Sequence, residues 1–226
     1  MLRVLFDLIL PARCHCCGVE LRESERSICH ACAQGLPRTS FYLRDDNPMS
    51  RRIAGQVEYE RAAGYLFYLA DSVVARLIHD FKYRGFSHLA RDLGEMMGRD
   101  LKGAGWLDGI DYVMGVPLHW RRRMHRGYSQ TRRLALGLSE AAGMEVSDDL
   151  RAAVYHRSQT KISRSQRQQN VEGVFALRNA ERYSGKTILL VDDVCTTGGT
   201  LVAAGRAIKK GCPDCKLVIL TLAVTY

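Results

Sequence analysis

The stretch that decides the fold is Ile188-Leu-Leu-Val-Asp-Asp-Val-Cys-Thr-Thr-Gly-Gly-Thr200. The apolar run over 187–191 is typical of a strand that is buried on both faces. A helix is predicted over 199–210, so a short loop with two adjacent glycines connects the strand to the helix. Asp192 and Asp193 stand where the strand is predicted to end. Because open α/β sheets bind ligands at the carboxyl ends of their strands, we expect a ligand site here.

The rest of the chain alternates between apolar runs and amphipathic stretches. Further strands are predicted over 62–69, 111–116, 171–177 and 217–224. Further helices are predicted over 71–83, 86–102 and 127–142. Asp71 is the expected cap of the first of these helices. The alternation predicts an α/β domain over 41–226, with a mostly parallel sheet flanked by helices and a connector at 41–61.

Composition sets the broad class of the protein. The 226 residues are 46% hydrophobic and 25% charged, which favours one main globular domain with a small appendage. The formal net charge of +9 favours anionic partners, such as phosphorylated small molecules or nucleic acid, over a basic surface without a specialised role. The apolar run at 1–10 is too short to span a membrane, so we expect no membrane span and a cytoplasmic location.

The loop after Asp193 has the chemistry of a phosphate site. Its glycines allow a tight turn and a close approach of the backbone to a ligand. Free amides and a partial positive charge at a helix start suit a phosphate, and threonine hydroxyls add donors. The carboxylates would repel a phosphate and should face ribose hydroxyls instead. A tight turn with capping threonines is the alternative. The predicted ligand residues are Asp192, Asp193, Thr196, Thr197, Gly198, Gly199 and Thr200.

A second loop, rich in arginine, follows the predicted strand at 111–116. Arginine supplies paired donors that suit phosphate, so this loop is expected to bind a phosphate group of the ligand. The alternative is a solvated basic face. The predicted residues are Val116, Pro117, Arg121, Arg122 and Arg126.

Residues 155–175 form a third basic segment, which is long and polar for a connection inside a domain. Such a segment could close as a lid over a phosphorylated substrate or present charge to single-stranded nucleic acid. A surface loop without a ligand is the alternative. The candidate contact residues are Arg157, Lys161, Arg164 and Arg167.

Residues 1–40 contain two C-x-x-C pairs separated by eleven residues. Two such pairs can place four thiolates around one zinc ion, so 1–40 is predicted to be a zinc-binding module. His15 and His30 are less favoured ligands, and free cysteines or disulfides are the alternative. The predicted ligands are Cys14, Cys17, Cys29 and Cys32.

Cys212-Pro-Asp-Cys215 is a further C-x-x-C, but no second pair stands near it in the sequence. Buried or idle thiols in a turn are therefore expected there, with a redox or second metal role as the alternative.

Residues 188–200 closely resemble the motif of type I phosphoribosyltransferases that binds phosphoribosyl pyrophosphate (PRPP), although Cys195 stands where the motif usually has an aliphatic residue. Nearly the whole chain resembles the ComF family of phosphoribosyltransferase-like proteins, whose members usually have Phe-Asn where this chain has Tyr128-Ser129. Besides the PRPP motif, the resemblance rests on Phe81-Lys-Tyr-Arg-Gly85, Val116-Pro117, Arg126-Gly-Tyr-Ser-Gln130, 160–166 and Asn170-Val171.

The resemblance implies a type I phosphoribosyltransferase-like fold, an N-terminal zinc module, PRPP binding with Mg²⁺, and a role in DNA uptake during natural transformation or in the use of external DNA. One hypothesis is a phosphoribosyltransferase in which Asp192, Asp193 and Arg126 are catalytic. The alternative is a non-catalytic PRPP sensor of the DNA-import machinery, which binds single-stranded DNA and a DNA-import helicase.

Overall fold

The computed structural model describes residues 12–117, 128–152 and 174–226. Within these ranges the strands are β1 Arg61–Tyr68, β2 Tyr112–Gly115, β3 Glu145–Ser147, β4 Leu150–Ala152, β5 Phe175–Leu177, β6 Thr187–Cys195 and β7 Lys216–Thr225. The helices are α1 His30–Gln34, α2 Pro48–Ile53, α3 Val73–Tyr83, α4 Ser87–Gly103, α5 Gln130–Ala142 and α6 Gly199–Gly211.

Five of these strands form one parallel sheet in the order β1-β7-β6-β2-β3. Its two faces are covered by two separate apolar clusters. One cluster joins the sheet to α3, α4 and α5, and the other joins it to α2 and α6. Burial on both faces explains why β6 and β7 are almost continuously apolar. The predicted mostly parallel α/β architecture is confirmed.

Helices α4 and α5 pack closely because glycines face each other between them. A Cβ on Gly137 would lie 2.0 Å from the Arg91 carbonyl oxygen, and a Cβ on Gly94 would lie 2.3 Å from the Leu134 carbonyl oxygen. The close packing fixes the start of α5 beside the carboxyl end of β2, where a Cβ on Gly115 would meet the Thr131 backbone at 2.7 Å.

Three boundaries differ from the prediction. Helix α3 is capped by Ser72, whose hydroxyl accepts from the Ala75 amide at 3.2 Å, so the expected Asp71 cap was wrong. The strand predicted at 171–177 is described only over Phe175–Leu177, and it pairs antiparallel with β4 outside the main sheet. Strand β6 continues to Cys195, so the acidic pair lies within the strand and not after it.

The expected connector at 41–61 is also structured. Asn47 caps α2 by accepting from the Met49 and Ser50 amides, both at 3.0 Å, and its own amide donates to the Ala62 carbonyl at 2.8 Å. Met49 and Ile53 are fully buried in the core. This segment is therefore a packed part of the α/β domain. Among the described residues, no helix is long and apolar enough to cross a bilayer.

Candidate functional site: a loop at the end of strand β6

The acidic pair lies near the carboxyl end of β6, where the strand is flanked by β7 and β2. The two carboxylates differ. Asp193 is buried and accepts from the Lys82 Nζ at 2.6 Å, whereas the Asp192 carboxylate accepts from the Asp193 amide at 2.8 Å. Burial and the neighbouring charge of Asp193 raise the pKa of Asp192 well above the usual range of a carboxyl group. The charge of Asp193 is thus balanced by Lys82, whereas Asp192 holds its proton more strongly than an ordinary carboxyl group because its pKa is raised.

Lys82 comes from the end of α3 and was not predicted as a site residue, although it stands in the Phe81–Gly85 motif. The sequence signal was present as a basic residue in that motif. Its partner could not be inferred, because 111 positions separate Lys82 from Asp193. The side chains of the pair are 19% and 11% exposed, so the ion pair is largely shielded from water.

The loop after Cys195 joins β6 to α6. Gly198 has φ +84°, a left-handed conformation that favours glycine, and helix α6 begins at Gly199. The N-cap residue Gly198 provides no side-chain cap for α6. Within the described chain, the side-chain hydrogen bond to its first turn is a long one, from the Gly199 amide to the Thr197 hydroxyl at 3.5 Å, so the first-turn amides are largely open to a ligand. The loop lines a small hollow of about 30 Å³ together with Asp192. Open amides at a helix start form a site that suits phosphate oxygens.

The base of the second loop lies beside β6. Val116 is buried, and its amide donates to the Val191 carbonyl at 2.8 Å, while the Thr131 hydroxyl donates to the Val116 carbonyl at 2.7 Å. Pro117 is the last residue described before the gap. The predicted contacts Arg121, Arg122, Arg126, Arg157, Lys161, Arg164 and Arg167 lie outside the described residues.

Gln130 was also missed as a candidate. It is the first residue of α5 and fully buried, and neither polar atom of its side-chain amide has a hydrogen-bond partner within the described part of the chain. The sequence offered only its place in the Arg126–Gln130 motif as a signal.

The N-terminal cysteines converge as predicted. The Sγ atoms of Cys14, Cys17, Cys29 and Cys32 all lie within 4.8 Å of one another, and those of Cys17 and Cys29 are 3.8 Å apart. A tetrahedral zinc ion with Zn–S bonds of about 2.3 Å requires sulfur atoms roughly 3.8 Å apart, so the donor set fits a metal such as zinc. Cys16 is not in this cluster.

Backbone geometry prepares Cys14 as a ligand. Its sulfur accepts from the Cys29 amide at 3.3 Å and the Cys16 amide at 3.4 Å, and Gly18 turns the chain with φ +76°. Desolvation acts to raise the pKa of Cys14, but the amide donors outweigh it and lower that pKa to about 6. A thiolate is the form that binds metal.

The cysteine cluster is attached to the sheet domain by polar contacts. The His15 ring lies 3.3 Å from an Asp80 carboxylate oxygen and packs edge-on against Phe86, and the Ser27 hydroxyl donates to Asp92. Arg38 donates to Asp100 at 2.8 Å. These partners lie on or next to α3 and α4, so the cluster region packs against the face of the domain that is formed by these two helices.

The second C-x-x-C behaves differently. Cys212 and Cys215 are buried among apolar residues after α6, and the Lys209 Nζ donates to the Pro213 and Cys215 carbonyls at 2.8 and 2.9 Å. Burial raises the pKa of Cys215 to about 12. Within the described ranges, the four N-terminal cysteines are the only cluster of potential metal ligands, so these two thiols have no partner pair.

Comparison with known proteins bears on the sheet domain. Residues 126–224 match the family model described as the phosphoribosyl transferase domain. Two solved structures are similar over 64% of this chain and 30% of their own, each at 20% identity. They are the allosteric regulatory enzyme of purine biosynthesis (TM-score 0.44) and the glutamine PRPP amidotransferase from B. subtilis complexed with ADP and GMP (TM-score 0.46). No curated protein sequence matches the chain.

The matched segment contains β6, its loop and α6. Together with the parallel sheet and its flanking helices, the match defines a type I phosphoribosyltransferase-like fold, to which a small N-terminal region with four metal-competent cysteines is added. The chain spans less than a third of the length of the two similar structures.

Proposed function

We propose that this chain binds PRPP at the carboxyl end of β6 and is a ComF-type phosphoribosyltransferase-like protein. The observation that supports this most strongly is the start of α6, which has no side-chain cap from its N-cap residue Gly198 and follows closely after an acidic pair on a buried parallel strand. Amides for a phosphate and a carboxylate for sugar hydroxyls then occur together at the carboxyl end of β6.

The two carboxylates take different roles in this proposal. Asp192 accepts hydrogen bonds from the ribose hydroxyls. Asp193 is oriented by Lys82 and positions its neighbour through the amide that donates to Asp192. The loop Thr196–Thr200 holds the 5-phosphate. Asp192 also offers the oxygen ligand that Mg²⁺ prefers, and bound Mg²⁺ would neutralise charge on the pyrophosphate.

For catalysis we propose that the base of the second loop at Val116 and Pro117 directs Arg121, Arg122 and Arg126 to the pyrophosphate. Departure of pyrophosphate leaves positive charge on the sugar ring, so the acidic pair and the arginines act mainly by electrostatic stabilisation and positioning. The acceptor of the phosphoribosyl group is not specified by any of these residues.

The cellular role we propose is cytoplasmic, in DNA uptake or the use of external DNA, with one structural zinc in the cysteine cluster. The alternative is a PRPP sensor that binds single-stranded DNA and a DNA-import helicase without turnover. The formal charge of +9 favours an anionic partner of that kind.

Calorimetric titration with PRPP and Mg²⁺ tests the proposed site. Wild-type protein should bind, Asp192→Asn should bind at least about ten-fold more weakly, as loss of a charged hydrogen-bond partner predicts, and Asp148→Asn should bind normally. Asp148 is a matched control because it is an exposed carboxylate paired with Arg132. Absence of binding by the wild type would overturn the proposal.

Two further assays separate the enzyme from the sensor. Pyrophosphate release from PRPP, screened across candidate acceptors, should be detected only for the enzyme. Binding of single-stranded DNA should weaken steeply with salt if the basic segments contact phosphates. Absence of binding at low salt would exclude the sensor alternative.

A further inference from the structure

We propose that Arg52 is the positioning residue that sets the shape of the loop Thr196–Thr200, which we call the phosphate loop. The identity of the ligand in this inference rests on the proposed function, whereas the contacts of Arg52 with the loop do not. Arg52 lies in α2, in the segment predicted to be a connector. Its Nη1 donates to the Thr196 carbonyl at 2.9 Å, and its Nη2 donates to the Thr225 carbonyl at 2.6 Å. One guanidinium group therefore joins the loop after β6 to the end of β7.

The bond to Thr196 decides where a loop amide points. A peptide unit is planar and trans, so its C=O and N–H groups point in opposite directions. Because Arg52 holds the Thr196 carbonyl, the Thr197 amide is turned away from α2. A longer contact of 3.5 Å to the Cys195 carbonyl acts in the same sense on the Thr196 amide. Consecutive amides that face one side of a loop form an anion-binding concavity.

Helix α2 also fixes the loop by packing. A Cβ at Gly198 would lie 2.8 Å from the Ile53 side chain, so the loop backbone rests directly on the residue that follows Arg52. Ile53 is fully buried, and the Asn47 cap anchors the start of α2 to β1. The guanidinium group is thus presented from a rigid support.

The contact set requires an arginine. The Thr225 hydroxyl also lies 3.1 Å from Nη1, so the guanidinium fork reaches four groups on two chain segments: the Cys195, Thr196 and Thr225 carbonyls and the Thr225 hydroxyl. A lysine at this position would keep the charge but could not span both carbonyls in a fixed geometry. The role therefore predicts that Arg52→Lys restores only part of what Arg52→Met loses.

The matched control is the preceding residue. Arg51 lies in the same helix and its side chain is 68% exposed, paired with the exposed Asp46. Arg51→Met removes the same charge from the same helix without touching the loop. Each variant should be measured for affinity to ribose 5-phosphate and to PRPP with Mg²⁺, and for backbone hydrogen exchange of residues 195–201.

We expect Arg52→Met to weaken both ligands by about ten-fold or more, as the loss of charge-assisted hydrogen bonds implies. Exchange in the loop should accelerate, while strands β2 and β6 stay protected. Arg52→Lys should be intermediate, and Arg51→Met should match the wild type. Should Arg52→Met fail to fold, the Lys variant decides the question.

Unchanged loop exchange together with unchanged affinity in the Arg52 variants would overturn the inference. Equal effects of Arg51→Met and Arg52→Met would also overturn it, because a shared effect reports only lost charge. If the wild type binds neither ligand, the proposed function fails. The hydrogen-exchange comparison then still decides whether Arg52 shapes the loop.

Discussion

The cysteine cluster and the phosphate loop are built in opposite ways. The cluster consists of four side chains, two from a turn at Cys14 and Cys17 and two from the start of the short helix α1, in a region with few buried apolar residues of its own. The loop consists of backbone amides at the end of a strand buried on both faces, and Arg52 and Ile53 support it from α2. We therefore expect the first site to depend on a bound metal for its structure, whereas the second is formed by the packing of the core.

This difference indicates that the two sites are stabilised by different sources of free energy. A structural zinc ion contributes about 10–16 kcal/mol in small modules, and this free energy is spent on folding them. The loop takes its stability from the sheet and can use the binding energy of a ligand for affinity. Changes at the cluster should therefore alter structure first, and changes at the loop should alter binding first.

Removal of the metal should have the largest effect. Chelation, or Cys17→Ser, should release the metal and expose the amides of 12–35 to rapid hydrogen exchange, while β6 and β7 remain protected. Cys16→Ser is the control and should retain about one zinc per chain. Metal analysis combined with exchange by segment measures both. If the metal-free protein kept the amides of 12–35 protected from exchange, the cluster would not depend on metal for its structure.

The Lys82–Asp193 pair tests the rigidity of the loop side. Lys82→Met leaves a buried carboxylate without its partner and should lower the free energy of unfolding by about 3 kcal/mol. Arg132→Met, which breaks an ion pair with Asp148 in which both side chains are largely exposed, should cost under about 1 kcal/mol. Chemical denaturation measures both, and equal losses would show that Lys82 is not structurally special.

Gly198 and Gly199 offer a sharper test within the loop itself. Gly198→Ala combines φ +84° with a contact of 2.8 Å to Ile53, and should cost about 1–3 kcal/mol and weaken PRPP binding. Gly199→Ala meets only the Thr197 hydroxyl at 3.7 Å and should be nearly neutral for stability. Thermal unfolding and ligand titration check the pair. If Gly198→Ala changed neither the stability nor the affinity for PRPP, the loop would not be held against α2.

The pH dependence of binding should show the smallest effect. Because burial and Asp193 raise the pKa of Asp192, a fraction of this carboxyl is protonated near neutral pH. Ribose hydroxyls are best accepted by the ionised form, so affinity should rise with pH and then level off. Asp192→Asn should remove this rise while keeping the titration of the ligand itself. If the affinity of wild type and of Asp192→Asn rises with pH to the same extent, Asp192 is not the group that causes the pH dependence.

Sequence patterns predicted both candidate sites but not the contacts that support them. The apolar strand, the paired acids and the Thr/Gly loop are contiguous, so their local order predicted a phosphate site at a strand end. The cysteine cluster was predictable from the spacing of two pairs. The isolated pair at Cys212 and Cys215 shows that C-x-x-C alone does not define a metal site, since these thiols are buried in the core.

The contacts that support the site were not predicted because they are non-local. Arg52 meets the loop across 144 positions, and Lys82 meets Asp193 across 111. No local pattern encodes such pairings. The cap of α3 was missed for a different reason, because Asp71 and Ser72 are adjacent and both favour caps, and only the hydroxyl of Ser72 reaches the Ala75 amide.

The most direct test of the account follows backbone amide resonances while PRPP and Mg²⁺ are added. We predict that the largest shifts occur at residues 197–200, with smaller shifts at Asp192 and Asp193 and none in the cysteine cluster. No shift at the loop at saturating ligand, or shifts confined to another part of the chain, would contradict the claim that the start of α6 binds the phosphate.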